Sequence, residues 1–274
     1  MFVEVIIPTF NRAQYLDRAV QSVLSQTYKD FKLHIVDDGS TDETSSVLEK
    51  YEKHPQVVIH RHENRGVSAA RNFAVTKSTH EWISFLDSDD EWLPNKLEKQ
   101  ISFLKENPQC QFLHAEEIWI RNGVRVNPKV KHNKGPIDLF KRSLEFCLIS
   151  PSTVIMKRDL FIKHGMFNES FTVCEDYDLW LKILAHEEIG FLPDFVAHKY
   201  GGHTDQLSTQ FVAMDYWRIK SLMTLLQTNI SQDKKDLIVI EIKKKAPILL
   251  KGYQKHQNLE PYNEISKLVQ NLLT

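Results

Sequence analysis

The sequence predicts an α/β protein: a mostly parallel central sheet flanked by helices, followed by a helical C-terminal extension. Three observations carry this. Short apolar runs of strand length alternate with helical periodicities through the first hundred or so residues. The first strand-like runs end in polar or acidic loops, where a parallel sheet places its ligand edge. From about Thr209 onward only helical patterning is present, with Lys-rich stretches such as Ile242-Lys243-Lys244-Lys245.

Taken in order, Val3 to Ile7 form a mostly β-branched run that stops at Pro8, as a central strand followed by a loop would. Asn11 stands where it can cap a helix. From Ala13 to Thr27, Leu16, Val20, Val23 and Leu24 fall at i, i+4, i+7 and i+8, the spacing of one buried helical face. Phe31, Leu33 and Ile35 alternate with polar neighbours and lead through Val36 into the loop Asp37 to Asp42. Ser40 and Glu43 have capping-box spacing for the helix after it, to which Val47, Leu48 and Tyr51 give an apolar side. Val57 to His60 read as a third strand, Val67 to Lys77 as a helix of small residues, and Trp82 to Leu86 as a fourth strand. The order β, α, β, α, β, α, β implies right-handed crossovers with helices on both faces of the sheet.

Pro94 suits the first position of a further helix with Leu97, Ile101 and Leu104 inward. The alternation then breaks. Asn122-Gly123 between alternating runs from Ile118 to Val126 is a hairpin signal. Thr153 to Met156 suggest a strand, and Glu175 to His186 a helix with Trp180, Ile183 and Leu184 inward. A soft boundary near residue 205 divides a domain over residues 1–205 from a helical region over 206–274.

Size and charge narrow the function classes. A chain of 274 residues can bury a sizeable core, and 42% apolar with 26% charged residues is ordinary globular composition. Thirty-five basic residues against 36 acidic ones argue against a dedicated nucleic-acid binder. Cys110, Cys147 and Cys174 are odd in number and lack paired spacing, so they read as free thiols of a reducing compartment. The N-terminus carries Glu4 within its apolar run and no basic leader, and no window reaches the length of a membrane span. The expectation is a cytoplasmic protein, with any membrane contact peripheral and at the inner face.

Chemistry is most legible at Asp87-Ser88-Asp89-Asp90-Glu91, where an apolar run ends in acids. If the chain stays extended, Asp87 and Asp89 point to one side, and a hard divalent cation, Mg²⁺ or Mn²⁺, is the natural partner of such a pair. The alternative is an acid-rich turn before the helix. Pro8-Thr9-Phe10-Asn11-Arg12 and Asp37-Asp38-Gly39-Ser40 lie at other strand ends, so Phe10 could stack on a base and Asp38 accept a hydrogen bond from a ring N–H. A turn with helix capping explains the second segment equally well. Arg71 sits one turn into a helix that follows a strand, which suits a diphosphate, and a solvated surface arginine is the simpler account. Glu175-Asp176-Tyr177-Asp178 opens a helix: acidic capping is the default, and Asp176 as a general base is the functional reading. His203 lies beside two glycines in a loop, where it could meet a metal or a phosphate or simply face solvent.

In order and spacing, Val5-Ile6-Ile7-Pro8-Thr9-Phe10-Asn11, Val36-Asp37-Asp38-Gly39-Ser40-Thr41-Asp42, Asn64-Arg65-Gly66-Val67-Ser68-Ala69-Ala70-Arg71-Asn72, Phe85-Leu86-Asp87-Ser88-Asp89-Asp90 and Glu175-Asp176 resemble the inverting nucleotide-sugar glycosyltransferases of family 2. The resemblance covers most of the first 205 residues and implies the GT-A fold, with its Rossmann-like sheet. It further implies a nucleoside diphosphate sugar donor, UDP-linked by family preference, and a saccharide or lipid-linked acceptor in glycan synthesis. On the same ground Pro8, Thr9, Phe10, Asp38, Arg71, Asp87, Ser88 and His203 would form the donor site. Asp87 and Asp89 would be the DxD pair, with Asp89 the direct ligand of Mn²⁺ or Mg²⁺, and Asp176 would be the catalytic base. Two other readings stay open: a sugar-nucleotide pyrophosphorylase, against which the absence of any glycine before Gly39 speaks, and a catalytically silent nucleotide-sugar-binding scaffold.

Overall fold

The structure, a computed structural model, describes residues 1–202 and 213–273. The first half alternates as the sequence suggests: β1 (Val3–Thr9), α1 (Ala13–Leu24), β2 (Phe31–Asp37), α2 (Thr44–Glu49), β3 (Val57–Arg61), α3 (Val67–Lys77) and β4 (Trp82–Phe85). There follow β5 (Glu91–Trp92), α4 (Lys96–Glu106), the hairpin of β6 (Phe112–Arg121) and β7 (Val124–Val126), α5 (Leu139–Ser143), β8 (Ile155–Lys157) and α6 (Arg158–Lys163). Then come α7 (Glu175–His186), β9 (Gly190–Gly201) and three C-terminal helices, α8 (Asp215–Leu226), α9 (Gln232–Lys255) and α10 (Leu259–Leu273).

One sheet runs in the order β3-β2-β1-β4-β8-β6-β9-β5, with β7 paired to β6. β1, β2, β3 and β4 are mutually parallel. β8 is antiparallel to both β4 and β6, and β6 is parallel to β9. The carboxyl ends of β1, β2, β4, β6 and β9 therefore share one edge. Alternation along β1 explains the two faces. Val3, Val5 and Ile7 enter a core with Leu16 and Val20 of α1 and Leu97 and Ile101 of α4, whereas Ile6 joins Ala70 and Ala74 of α3 and Leu179 and Trp180 of α7 on the opposite side.

Several sequence expectations are corrected. β1 does not stop at Pro8 but runs to Thr9. Its pairing with β4 ends at Ile6, so the N–H that proline lacks is not needed on that side. Ser40 and Glu43 do not form a capping box. The Ser40 hydroxyl instead accepts from the Asn11 N–H at 2.9 Å, and Asp42 receives the Thr44 N–H at 3.0 Å. Asn11 likewise does not cap α1; it takes φ 52° and its Oδ1 accepts from Thr41 N–H at 2.8 Å, locking the two loops together. α4 begins at Lys96, beyond Pro94, and the strand expected at Thr153 to Met156 is Ile155–Lys157 after a 3-10 turn at Pro151–Thr153.

β9 escaped the sequence reading. Pro193 and Asp194 interrupt its alternation, and the sheet absorbs them through register shifts opposite Ala115, Glu116 and Glu117. The expected division near residue 205 falls within the segment outside the described residues. Tyr177, Leu181 and Ala185 of α7 pack with Ile219, Leu222, Ile238, Ile242 and Ile265 of the C-terminal helices.

Candidate active site

At the shared carboxyl edge lies a cleft of about 750 Å³. It is lined by Pro8, Thr9, Phe10, Asp38, Arg71, Asp87, Ser88, Asp89 and Asp176, so every sequence-selected site residue within the described portion faces one cavity. His203 lies outside the described residues.

The end formed by β1 and β2 is built of loops that hold one another. Phe10 presents an exposed ring at the mouth, whereas Asp38 is buried. Both Asp38 oxygens accept backbone N–H groups, Oδ1 from Arg65 and Oδ2 from Gly66, each at 2.8 Å. His62 Nδ1 lies 3.2 Å from Oδ1. Asp38 thus fastens the 62–66 loop across the end of β2 while remaining on the cavity wall, with lone pairs left for a ligand. Gly39 is required here: at φ +79°, an added Cβ would stand 2.9 Å from the Asn64 nitrogen.

Arg71 is neither a surface arginine nor a free hand for a diphosphate. It is 3% exposed, donating from one arm to Glu175 Oε1 at 2.7 Å and from the other to Asp87 Oδ1 at 2.6 Å, with its guanidinium 5.0 Å from the centre of the Phe167 ring. The planar fork of arginine suits this double pairing. The sequence offers Glu175 only as part of an acidic helix cap, yet Glu175 is what anchors Arg71 behind Asp87. Burial and the neighbouring Asp176 charge push the Glu175 carboxyl up, with Arg71 opposing them.

The acidic turn also differs from its sequence picture. β4 ends at Phe85 and Asp87 to Asp90 form a turn closed by the Asp90 N–H on the Asp87 carbonyl at 3.0 Å, so strand alternation is not what brings Asp87 and Asp89 to the cleft. Asp90 and Glu91 both bond to Tyr200 of β9. Asp90 is buried, accepts from Ser152 Oγ at 2.7 Å and the Tyr200 N–H at 3.0 Å, and ties the turn to β9. Burial, then the Asp89 and Asp87 charges, hold its carboxyl well above the usual range. Glu91 accepts from the Tyr200 hydroxyl at 2.7 Å.

Asp176 lies in the first turn of α7. Its entry residue, Cys174, adopts φ 64°, a left-handed conformation that is strained for a residue with a Cβ and that turns the helix start into the cleft. Asp176 Oδ1 accepts the Tyr177 N–H at 2.7 Å, and the Cys147 thiol lies 3.4 Å from Oδ2. Burial and the Asp176 charge push the Cys147 thiol well up, so it stays protonated, with its one S–H shared between the carboxylate and the Ile149 carbonyl at 3.3 Å.

Lys199, on the unforeseen strand β9, supplies a cation that sequence reasoning missed. It donates to Ser150 Oγ at 2.7 Å, Ser150 donates to Glu117 at 3.0 Å, and Lys134 Nζ lies 2.9 Å from the same Glu117 oxygen. Burial opposes the Lys199 charge, but Glu117, Asp90, Asp87 and Asp176 outweigh it and raise the ammonium pKa. Glu117, which burial alone would raise, is held at about 2 by Lys134 and Lys199. Lys199 therefore stands charged between the acidic turn and Asp176. Among the described residues no group of three His, Cys, Asp or Glu side chains is placed to hold a metal by itself.

A mostly parallel sheet whose carboxyl edge gathers an aromatic ring, a carboxylate-lined turn and a helix-borne acid belongs to the class of open α/β proteins that bind their ligand at that edge. The fold is that of TarS residues 1–349 of S. aureus, solved in complex with UDP-GlcNAc: the TM-score is 0.70 at 17% identity, covering 99% of this chain and 92% of that one. The model of glycosyl transferase family 2 matches residues 4–165, and the chain belongs to that family. It is 34% identical over 200 residues to WfgD of Escherichia coli, named a UDP-Glc:alpha-D-GlcNAc-diphosphoundecaprenol beta-1,3-glucosyltransferase, covering 72% of this chain and 76% of that protein. To TuaG of Bacillus subtilis, a putative teichuronic acid biosynthesis glycosyltransferase, it is 42% identical over 185 residues, covering 66% of this chain and 71% of that protein. Matches to uncharacterized glycosyltransferases of Rickettsia species span only 27% to 60% of those proteins' lengths.

Proposed function

We propose that the chain is an inverting glycosyltransferase. It moves a sugar from a nucleoside diphosphate sugar, UDP-linked, to a hydroxyl of a saccharide or lipid-linked acceptor in cell-surface polysaccharide synthesis. The observation that carries this is the single cleft with Phe10 and Asp38 at one end, the Asp87 to Asp89 turn in its wall and Asp176 facing the same space. Family membership and the names of WfgD and TuaG support the reaction class and the kind of acceptor.

In this reading Phe10 stacks on the base and Asp38 accepts its ring N–H, while Gly39 lets the backbone approach. Asp176 takes the proton of the acceptor hydroxyl. The Cys147 S–H, 3.4 Å away, orients one of its oxygens. The deprotonating oxygen attacks the anomeric carbon from the face opposite the nucleotide, which inverts the configuration. Negative charge then grows on the departing diphosphate, and Lys199, already charged and fixed by Ser150, is the chain's own cation beside it.

Mn²⁺ or Mg²⁺ fits the donor set. Asp89 and Asp87 supply carboxylate oxygens from one turn, and such ions are commonly held by one or two carboxylates completed by substrate phosphates. When bound, the ion would neutralise charge on the diphosphate. Among the described residues no helix is long and apolar enough to cross a membrane.

The test is transfer from a nucleotide sugar with NMR reading of the product anomer. Wild type should give the anomer opposite to that of the donor. Asp176→Asn should keep donor affinity while transfer falls by about 10² to 10⁴; transfer near the wild-type rate would remove Asp176 from the mechanism.

A further inference from the structure

We propose that the β6–β7 hairpin and the loop behind it, residues 121–142, form a docking surface for an anionic lipid bilayer. This stretch holds seven basic residues against one acid, Asp138, in a chain whose net charge is -1. Two of the seven are used internally. Lys134 is buried beside Glu117, and Arg142 donates to the carbonyls of Asn133, Gly135 and Ile137, which sets the shape of the loop. The other five, Arg121, Arg125, Lys129, Lys131 and Lys141, are exposed, and none pairs with a carboxylate among the described residues.

Between these cations stand the two most exposed aliphatic side chains among the described residues, Val130 at 93% and Ile137 at 81%, together with Val124 at 65%. Val130 is flanked directly by Lys129 and Lys131. Cations bracketing apolar tips match the boundary of a bilayer, with charges at the headgroup phosphates and aliphatic groups just beneath. A nucleic acid would use the charges but has no place for the aliphatic tips, whose exposure has no other explanation in the fold.

The hairpin also leaves the sheet on the catalytic side. β6 runs parallel to β9, with Trp119 opposite Lys199 and Arg121 opposite Gly201, so the basic segment begins two residues beyond the strand neighbour of a cleft residue. Docked by this surface, the chain holds the Lys199 and Asp176 end of the cleft near the membrane. The inference deepens the reading of a membrane-borne acceptor, but its evidence is the charge and exposure of the hairpin. The outward face of α9, with Ile240, Ile248 and Lys243, is a weaker rival, since the neighbouring Lys244 is engaged by Glu145 and Glu241.

Flotation of the full chain with phosphatidylcholine vesicles, with and without phosphatidylglycerol, tests this. Wild type should float only with the anionic vesicles, less so as salt rises. K129Q/K131Q should weaken that binding by about 30-fold, from roughly fivefold per basic residue near such a surface. V130S/I137S should weaken it as well, with wild-type thermal unfolding and wild-type nucleotide-sugar binding, and K243Q/K251Q should float like wild type. The proposal is overturned if the chain floats with neither vesicle or equally with both, or if only the α9 variant loses binding. Nucleotide-sugar binding is measured alongside on the same proteins, so failure of the donor reading is seen separately from failure of the docking surface.

Discussion

Replacing Arg71 by alanine isolates the role of the buried charge triad. The substitution leaves Glu175 buried, next to Asp176, and leaves Asp87 without the guanidinium bonded to it at 2.6 Å. Removing one member of a buried ion pair costs about 3–5 kcal/mol, because the remaining charge is uncompensated. At about 2–4 °C per kcal/mol for a chain of this size, the melting temperature should fall by roughly 6–20 °C. The deficit should depend on pH. Without Arg71 the Glu175 carboxyl is raised further, above its unfolded value. Its contribution is then fully present below the unfolded carboxylate pKa and is lost as pH rises through the folded one. The loss should therefore be larger at about pH 8 than at about pH 5, near the ordinary carboxylate range. Arg71→Ala/Glu175→Gln should recover much of it, since the orphaned charge is gone. Circular dichroism melts of the three proteins at both pH values decide the matter. A melting temperature for Arg71→Ala within about 2 °C of wild type, against the several kcal/mol expected, or a deficit that neither pH nor the second substitution changes, would refute the reasoning.

Two further outcomes are expected at the donor end. Asp89→Asn should weaken donor binding in Mn²⁺ but not in its absence, and calorimetry showing equal affinity in Mn²⁺ would remove Asp89 as a ligand. Gly39→Ala places a Cβ 2.9 Å from the Asn64 nitrogen at a left-handed φ, a strain of about 1–3 kcal/mol. The 62–66 loop held by Asp38 should shift, lowering both the melting temperature and UDP affinity. A variant unchanged in both measurements would show that the contact is not tight.

Much of the nucleotide half was legible because its signals are local. The small-residue run Val67–Lys77 is α3 to the residue, and Asn122-Gly123, at φ 49° and 76°, makes the hairpin turn that those residue types favour. What stayed hidden depends on distant partners. Nothing around Arg71 announces that Glu175, 104 positions on, will share its guanidinium with Asp87. Lys199 was unreadable because β9, broken by Pro193, does not alternate like a strand, and its neighbours Ser150 and Glu117 come from separate elements. The turn at Asp87 to Asp90 shows a third case: the cleft holds the expected acids, but a turn bonded to Ser152 and Tyr200 puts them there.

The position of α7 constrains how such a chain can be altered. One side of this helix, through Leu179, Trp180 and Ile183, closes the core beneath the sheet, and the other, through Tyr177, Leu181 and Ala185, is covered by the C-terminal helices together with Phe140, Leu144 and Cys147. The helix that presents Asp176 is thus gripped from behind by the part of the chain that carries no recognisable motif. An exchange of that tail between related chains can succeed only if the incoming helices reproduce the surface meeting Tyr177 and Leu181. A graft designed on the donor motifs alone would leave the donor pocket intact and let the acid drift.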